Sequence, residues 1–150
     1  MTETVNVSLD ARAYDVHVGA GLLACAGELI APFAPTGRVF VITDKNVAKK
    51  HLPTLTTSLE AAGLTHAIIK MAPGEGSKSF EGLESALRQL LKAGVNRKDL
   101  VIAFGGGVIG DLAGLAAGLT PADVAFAFKR QQTRYEITGE EQVGFAAQIG

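Results

Sequence analysis

Three consecutive glycines, Gly105, Gly106 and Gly107, stand directly behind the apolar run Leu100-Val101-Ile102-Ala103-Phe104 and are followed by Val108-Ile109-Gly110-Asp111. The apolar run reads as a buried strand and the segment after the glycines as the start of a helix. Glycines at such a turn clear the space beside the main chain, so unpaired N–H groups at the helix start can touch a phosphate. Gly105, Gly107 and Gly110 also satisfy G-x-G-x-x-G, a dinucleotide-binding spacing. Two features separate this turn from the usual unit, in which it follows the first strand and an acidic residue about twenty positions on holds a ribose. Several strand-like runs precede it here, and the window Ala125 to Arg130 contains no acid. A ligand-free strand-to-helix turn accounts for a bare glycine fingerprint equally well.

A second element shifts that balance. Pro73-Gly74-Glu75-Gly76-Ser77-Lys78-Ser79 follows the strand-like Thr65-His66-Ala67-Ile68-Ile69-Lys70. A carboxylate between glycines suits ribose hydroxyls, and the ammonium of Lys78 suits phosphate or substrate charge. An exposed turn capping the next helix explains Ser79 as N-cap, but not Glu75 or Lys78.

The elements that must hold these residues alternate. Val5 to Leu9 and Ala13 to Val18 read as an antiparallel pair, Leu22 to Phe33 as a helix, and Arg38 to Thr43 as a buried strand. Helical spacing covers Asn46 to Ala62, with Pro53 marking either a break near His51-Leu52 or a helix that starts late. Ser79 to Ala93 carries Phe80, Leu83, Leu87, Leu90 and Leu91 on one stripe, and Gly63 and Gly94 close the two helices. Strand and helix in alternation predict a Rossmann-like α/β fold, a parallel sheet with flanking helices. In the tail, Thr120-Pro121 reads as an N-cap with proline at the first helical position. A further helix is expected from Thr138 through Val143 to Ile149.

With these segments in view, the chain resembles the N-terminal domain of the 3-dehydroquinate synthase family. The resemblance rests on P-G-E-x-S-K-S and G-G-G-V-I-G-D-L-A-G in this order, on Thr43-Asp44-Lys45-Asn46-Val47, and on Tyr14-Asp15-Val16-His17-Val18-Gly19-Ala20-Gly21. It implies NAD as cofactor. It places Asp44 and Asn46 on the adenosine side, Glu75 and Lys78 at the ribose and phosphate region, Gly105, Gly106 and Gly107 at the pyrophosphate, and Asp111 nearer the nicotinamide. The implied reaction is NAD-dependent phosphate elimination and cyclisation of a seven-carbon sugar-acid phosphate, a step of the shikimate pathway. The family's catalytic zinc is held by a Glu and two His of a helical domain that this sequence does not show, so neither metal ligands nor catalytic residues are assigned.

The resemblance covers residues 3 to 117, giving an NAD-binding domain over 1–117 and an unmatched helical tail over 118–150. On the helix after the glycine turn, exposed apolar surface is expected either to be covered by Val124, Phe126 and Phe128 or to make the chain a homo-oligomer. Two alternatives to a synthase-like protein stay open: a nucleotide-binding module without catalysis, and the non-functional product of a disrupted reading frame. The DNA across Leu115 to Asp123 separates the last from the others.

Composition agrees with one domain. The 150 residues are 47% hydrophobic and carry 14 basic against 15 acidic side chains, so neither a nucleic-acid surface nor a membrane-binding face is indicated. No run reaches the roughly twenty apolar residues of a membrane span, and the expected location is the cytoplasm. The lone Cys25, among Leu22, Leu23, Leu29 and Ile30, reads as core. His17, His51 and His66 lack the spacing that puts two imidazoles on one helix face.

Overall fold

Along Leu100–Gly105 every residue is buried, as are the five central residues of Arg38–Asp44. Strands covered on both faces are what continuous apolar runs dictate. A computed structural model describes residues 2–8, 14–120, 123–129 and 143–147. In chain order these form β1 (Thr2–Val7), β2 (Tyr14–Gly19), a 3-10 turn (Leu22–Cys25), α1 (Ala26–Ile30), a 3-10 turn (Ala31–Phe33), β3 (Arg38–Asp44) and α2 (Lys45–Ala61). There follow β4 (Thr65–Met71), a 3-10 turn (Glu75–Ser77), α3 (Phe80–Lys92), β5 (Leu100–Gly105), α4 (Gly107–Gly118), β6 (Asp123–Lys129) and β7 (Val143–Ala147).

The seven strands lie in the order β1-β2-β7-β6-β5-β3-β4. From β6 to β4 the pairing is parallel, and from β6 through β7 and β2 to β1 it is antiparallel. The α/β fold with a parallel sheet and flanking helices is therefore present, with an antiparallel extension at one side. Side chains alternate across a strand, and the two cores follow that alternation. Val39, Val41, Leu100, Ile102 and Phe104 meet Ala26 and Ile30 of α1 and Leu55 and Leu59 of α2. Phe40, Ile42, Val101 and Ala103 meet Ala86 and Leu90 of α3 and Ile109, Leu112 and Ala113 of α4.

Helix ends follow the local sequence. Asp44 caps α2 and Ser79 caps α3 through their side chains. Gly63 (φ 77°) and Gly94 (φ 79°) end those helices in the left-handed region. After each, the next residue's N–H returns to the helix, Leu64 to Leu59 O at 3.0 Å and Val95 to Leu90 O at 3.1 Å, completing Schellman motifs. Helix α1 approaches α2 at Gly27, where a Cβ would lie 2.1 Å from Ser58 O. Ser58 Oγ accepts the Gly27 N–H at 2.8 Å in the same contact.

Several expectations need correction. Helix α2 runs unbroken through Pro53. Proline lacks the N–H that would return to Lys49 O, and the packing of Leu55 and Leu59 outweighs that loss. On α3 Ala86 and Leu90 are buried and Leu83 and Leu87 half-buried along the core-facing stripe, whereas Phe80 (91% exposed) and Leu91 (64%) face solvent. The tail contains strands where helices were expected. Thr120 closes α4, its N–H and Oγ both donating to Ala117 O at 3.0 Å, rather than opening a new helix. Val124, Phe126 and Phe128 recur with period two, and β5 offers an edge that a parallel strand completes. Residues 143–147 form β7 rather than helix, while Thr138 lies outside the described residues, as does the side-chain burial of Val124, Phe126 and Phe128. Among the described residues no helix is long and apolar enough to cross a membrane.

Candidate functional site

Strand register gathers the chemistry at one edge of the sheet. Asp44 pairs with Met71 across β3 and β4, and Thr43 with Phe104 across β3 and β5. Asp44, the 72–79 loop and the Gly105–Gly107 turn therefore all emerge from the carboxyl ends of adjacent strands. The chain then divides. Helix α2 leaves β3 toward the Leu55 and Leu59 core, whereas α4 leaves β5 toward the Ile109 and Leu112 core on the opposite face. Helix α3 lies on the α4 side and carries the chain from β4 past β3 to β5. Such a reversal opens a crevice at the strand ends, and in open α/β sheets ligands bind there.

The three glycines do different work at that crevice. Gly105 is a packing requirement, because a Cβ on it would lie 2.9 Å from Ile109 Cβ and Cγ1. Nothing lies within 4 Å of a Cβ placed on Gly106 or Gly107, so these two border open space. Gly106 is the N-cap of α4 and supplies no side-chain cap. Its carbonyl accepts the Gly110 N–H at 3.0 Å, so the helix starts cleanly while its leading N–H groups have no partner within the helix. Those groups carry the positive end of the helix dipole.

The other two helix starts at this edge are already satisfied. Asp44 Oδ1 accepts the N–H groups of Asn46 at 2.8 Å and Val47 at 2.9 Å. Ser79 Oγ accepts the Gly82 N–H at 3.1 Å. Asp44 is half-buried, its Oδ2 takes neither cap bond, and Asn46 is exposed on the first turn of α2.

Lys78 and Asp111, expected at different parts of one ligand, meet directly. Lys78 Nζ lies 2.8 Å from Asp111 Oδ2, joining the 72–79 loop to the second turn of α4. Both side chains are more than half exposed, so the pair contributes about 0–1 kcal/mol and acts as a positional link. Glu75 sits in the 3-10 turn of the same loop, three residues before Lys78. The structure thus brings Asp44, Asn46, Glu75, Lys78, Gly105, Gly106, Gly107 and Asp111 to one edge.

Sequence reasoning passed over Ser77 and Gly82, which shape this loop. Ser77 is 5% exposed, and its Oγ donates to Ala72 O. A Cβ on Gly82 would fall 1.9 Å from Ser77 O. A serine among glycines and a glycine in the first turn of a helix were the available signals. Among the described residues no three His, Cys, Asp or Glu side chains converge to hold a metal ion. His17 Nδ1 lies 2.9 Å from Thr4 Oγ1 and His66 Nε2 3.0 Å from Glu60 Oε1, the local pairings of strand residues. Cys25 is half-buried, its thiol donating to Leu22 O at 3.3 Å.

The chain is similar to known proteins in sequence and in fold. Residues 68–128 match the family described as 3-dehydroquinate synthase N-terminal, so the likeness runs beyond Ala117 through most of β6. The chain is 46% identical over 126 residues to a 3-dehydroquinate synthase of Jannaschia sp. (strain CCS1), covering 84% of this chain and 34% of that protein. It is 49% identical over 123 residues to that of Mesorhizobium japonicum, covering 82% and 32%. The chain thus spans about a third of the length of the curated relatives it matches. A solved structure of 2-deoxy-scyllo-inosose synthase, complexed with carbaglucose-6-phosphate, NAD+ and Co2+, aligns with TM-score 0.72 and 19% identity over 98% of this chain and 43% of its own. At that identity the likeness shows the fold.

Proposed function

From its homology to the N-terminal domain of 3-dehydroquinate synthases, we propose that this chain is the NAD-binding part of such an enzyme and holds the cofactor at the carboxyl edge of β3, β4 and β5. One observation carries the reading: α4 starts without a cap beside Gly106 and Gly107, whose missing side chains leave open space at the crevice. A pyrophosphate fits that opening, its charge meeting unpaired N–H groups and the helix dipole. Asp44 Oδ2 and Asn46 flank it on the β3 side and take the adenosine. Glu75 and Lys78 serve the ribose and phosphate, and Asp111 lies toward the nicotinamide.

The reaction proposed for the complete enzyme is phosphate elimination and cyclisation of a seven-carbon sugar-acid phosphate to 3-dehydroquinate. Bound NAD supplies a transient oxidation of a secondary alcohol that acidifies the neighbouring C–H. The residues present here bind and orient that cofactor. A catalytic metal site takes three protein ligands and an open position, whereas His17, His51 and His66 lie on β2, α2 and β4. This chain by itself therefore binds NAD without turning over substrate.

Calorimetric titration tests the first half: saturable heat with NAD is expected, and none from the unmutated chain removes the cofactor assignment. Phosphate release in the presence of zinc, NAD and the sugar-acid phosphate tests the second half. Sustained turnover that disappears on chelation would show a metal site in this chain and overturn that part of the reading.

A further inference from the structure

We propose that Ser77 is a positioning residue that sets Lys78 at the crevice, an inference that rests on the nucleotide-binding reading and adds a residue to it. The 72–79 loop must turn sharply between β4 and α3, and its route is held from below. The Ser77 side chain is buried and donates from Oγ to Ala72 O, tying the end of the loop to its start. The Ser77 N–H closes the intervening turn on Gly74 O at 3.2 Å, and Gly74 enters that turn with a left-handed φ of 93°. On the other side, the Ser77 carbonyl packs so closely on Gly82 that no Cβ fits there. Ser79 Oγ adds a bond to Gly76 O at 3.1 Å while it caps α3.

Lys78 is thus flanked by two anchored residues, and its ammonium reaches Asp111 Oδ2 at 2.8 Å with little freedom left in the backbone that carries it. The buried serine, rather than the exposed ion pair, is the anchor. The Ser77 hydroxyl is buried although Ala72 is exposed, and losing this part-buried hydrogen bond costs more than losing an ion pair that water screens. Holding the loop in advance spares a ligand the ordering cost on binding.

Hydrogen exchange at the loop amides tests this independently of any ligand. Ser77→Ala is expected to speed exchange of the residue 77 and Gly82 amides about tenfold while β3 and β5 amides keep their rates. ADP binding should weaken by a similar factor, and Ser77→Thr, which keeps the hydroxyl, should recover most of the loop protection. Asp111→Asn, an exposed and nearly isosteric change, should alter loop exchange less than twofold. Unchanged loop exchange in Ser77→Ala, or a rise shared equally by β5, would overturn the proposal. So would release of the loop by Asp111→Asn, which makes the ion pair the anchor and keeps the question open to a decision even where Ser77→Ala does not fold. Failure of the unmutated chain to bind ADP would instead count against the nucleotide reading, and the exchange results would still judge the role of Ser77.

Discussion

The amino and carboxyl edges of the parallel strands carry polar groups of similar kinds in opposite states. At the amino edge, Asp99 is 1% exposed and fully engaged. It accepts from Thr36 Oγ1 at 2.7 Å and the Asn96 N–H at 2.8 Å, and Arg38 Nη1 lies 3.3 Å from its Oδ2. Arg38 in turn donates to Gly94 O at 2.9 Å and stacks 5.3 Å over the Phe40 ring. At the carboxyl edge, Asp44 commits one oxygen to a cap, Lys78 and Asp111 pair in solvent, and α4 begins with no cap. Charges at the first edge close the ends of β3 and β5, which is a structural task. Those at the second are more exposed, divided between a helix cap and an ion pair in solvent. Polar composition alone does not separate a brace from a site; the degree of satisfaction does.

That contrast breaks most visibly at Asp99. Asp99→Ala should destabilise the fold by about 3 kcal/mol, since a buried network loses its acceptor and Arg38 its carboxylate. Chemical denaturation would show the loss, while NAD affinity below the transition should be unchanged; a selective loss of binding would mean that the amino edge serves the ligand.

Gly106→Val reverses the pattern. Its φ of −81° and ψ of −167° suit valine and no non-neighbouring atom stands within 4 Å of the new Cβ, so the stability cost should be limited to about 1 kcal/mol for a poorer N-cap residue. The side chain would fill the opening beside the helix start, and NAD affinity should fall about a hundredfold, some 2.7 kcal/mol. Unaltered affinity by calorimetry would place the pyrophosphate elsewhere.

A smaller effect sharpens the double duty of Asp44. Asp44→Ala should cost about 1 kcal/mol of stability through the lost cap, whereas Asp44→Asn, which still caps, should cost a few tenths. If both variants weaken NAD binding alike, the charge of Oδ2 matters to the ligand; if only Asp44→Ala does, the residue acts through its helix.

Local sequence patterns determine much of this protein. The run Leu100 to Phe104 reads as a buried strand, Ser79 as a cap, and Gly63 and Gly94 as helix ends, because each follows from backbone sterics and neighbouring residues. The glycine turn at Gly106 and the loop carrying Glu75 and Lys78 suggest a nucleotide by residue type and spacing, whereas the role of Asp44 rests on the family resemblance. Long-range packing decided the rest. Whether Pro53 breaks a helix depended on the core beneath Leu55 and Leu59, and whether residues 123–129 coil or extend depended on the free edge of β5. The meeting of Lys78 with Asp111 and the burial of Asp99 likewise required strands distant in sequence to become neighbours. Propensity acts over a few residues, whereas burial and strand pairing are fixed only when the whole sheet assembles.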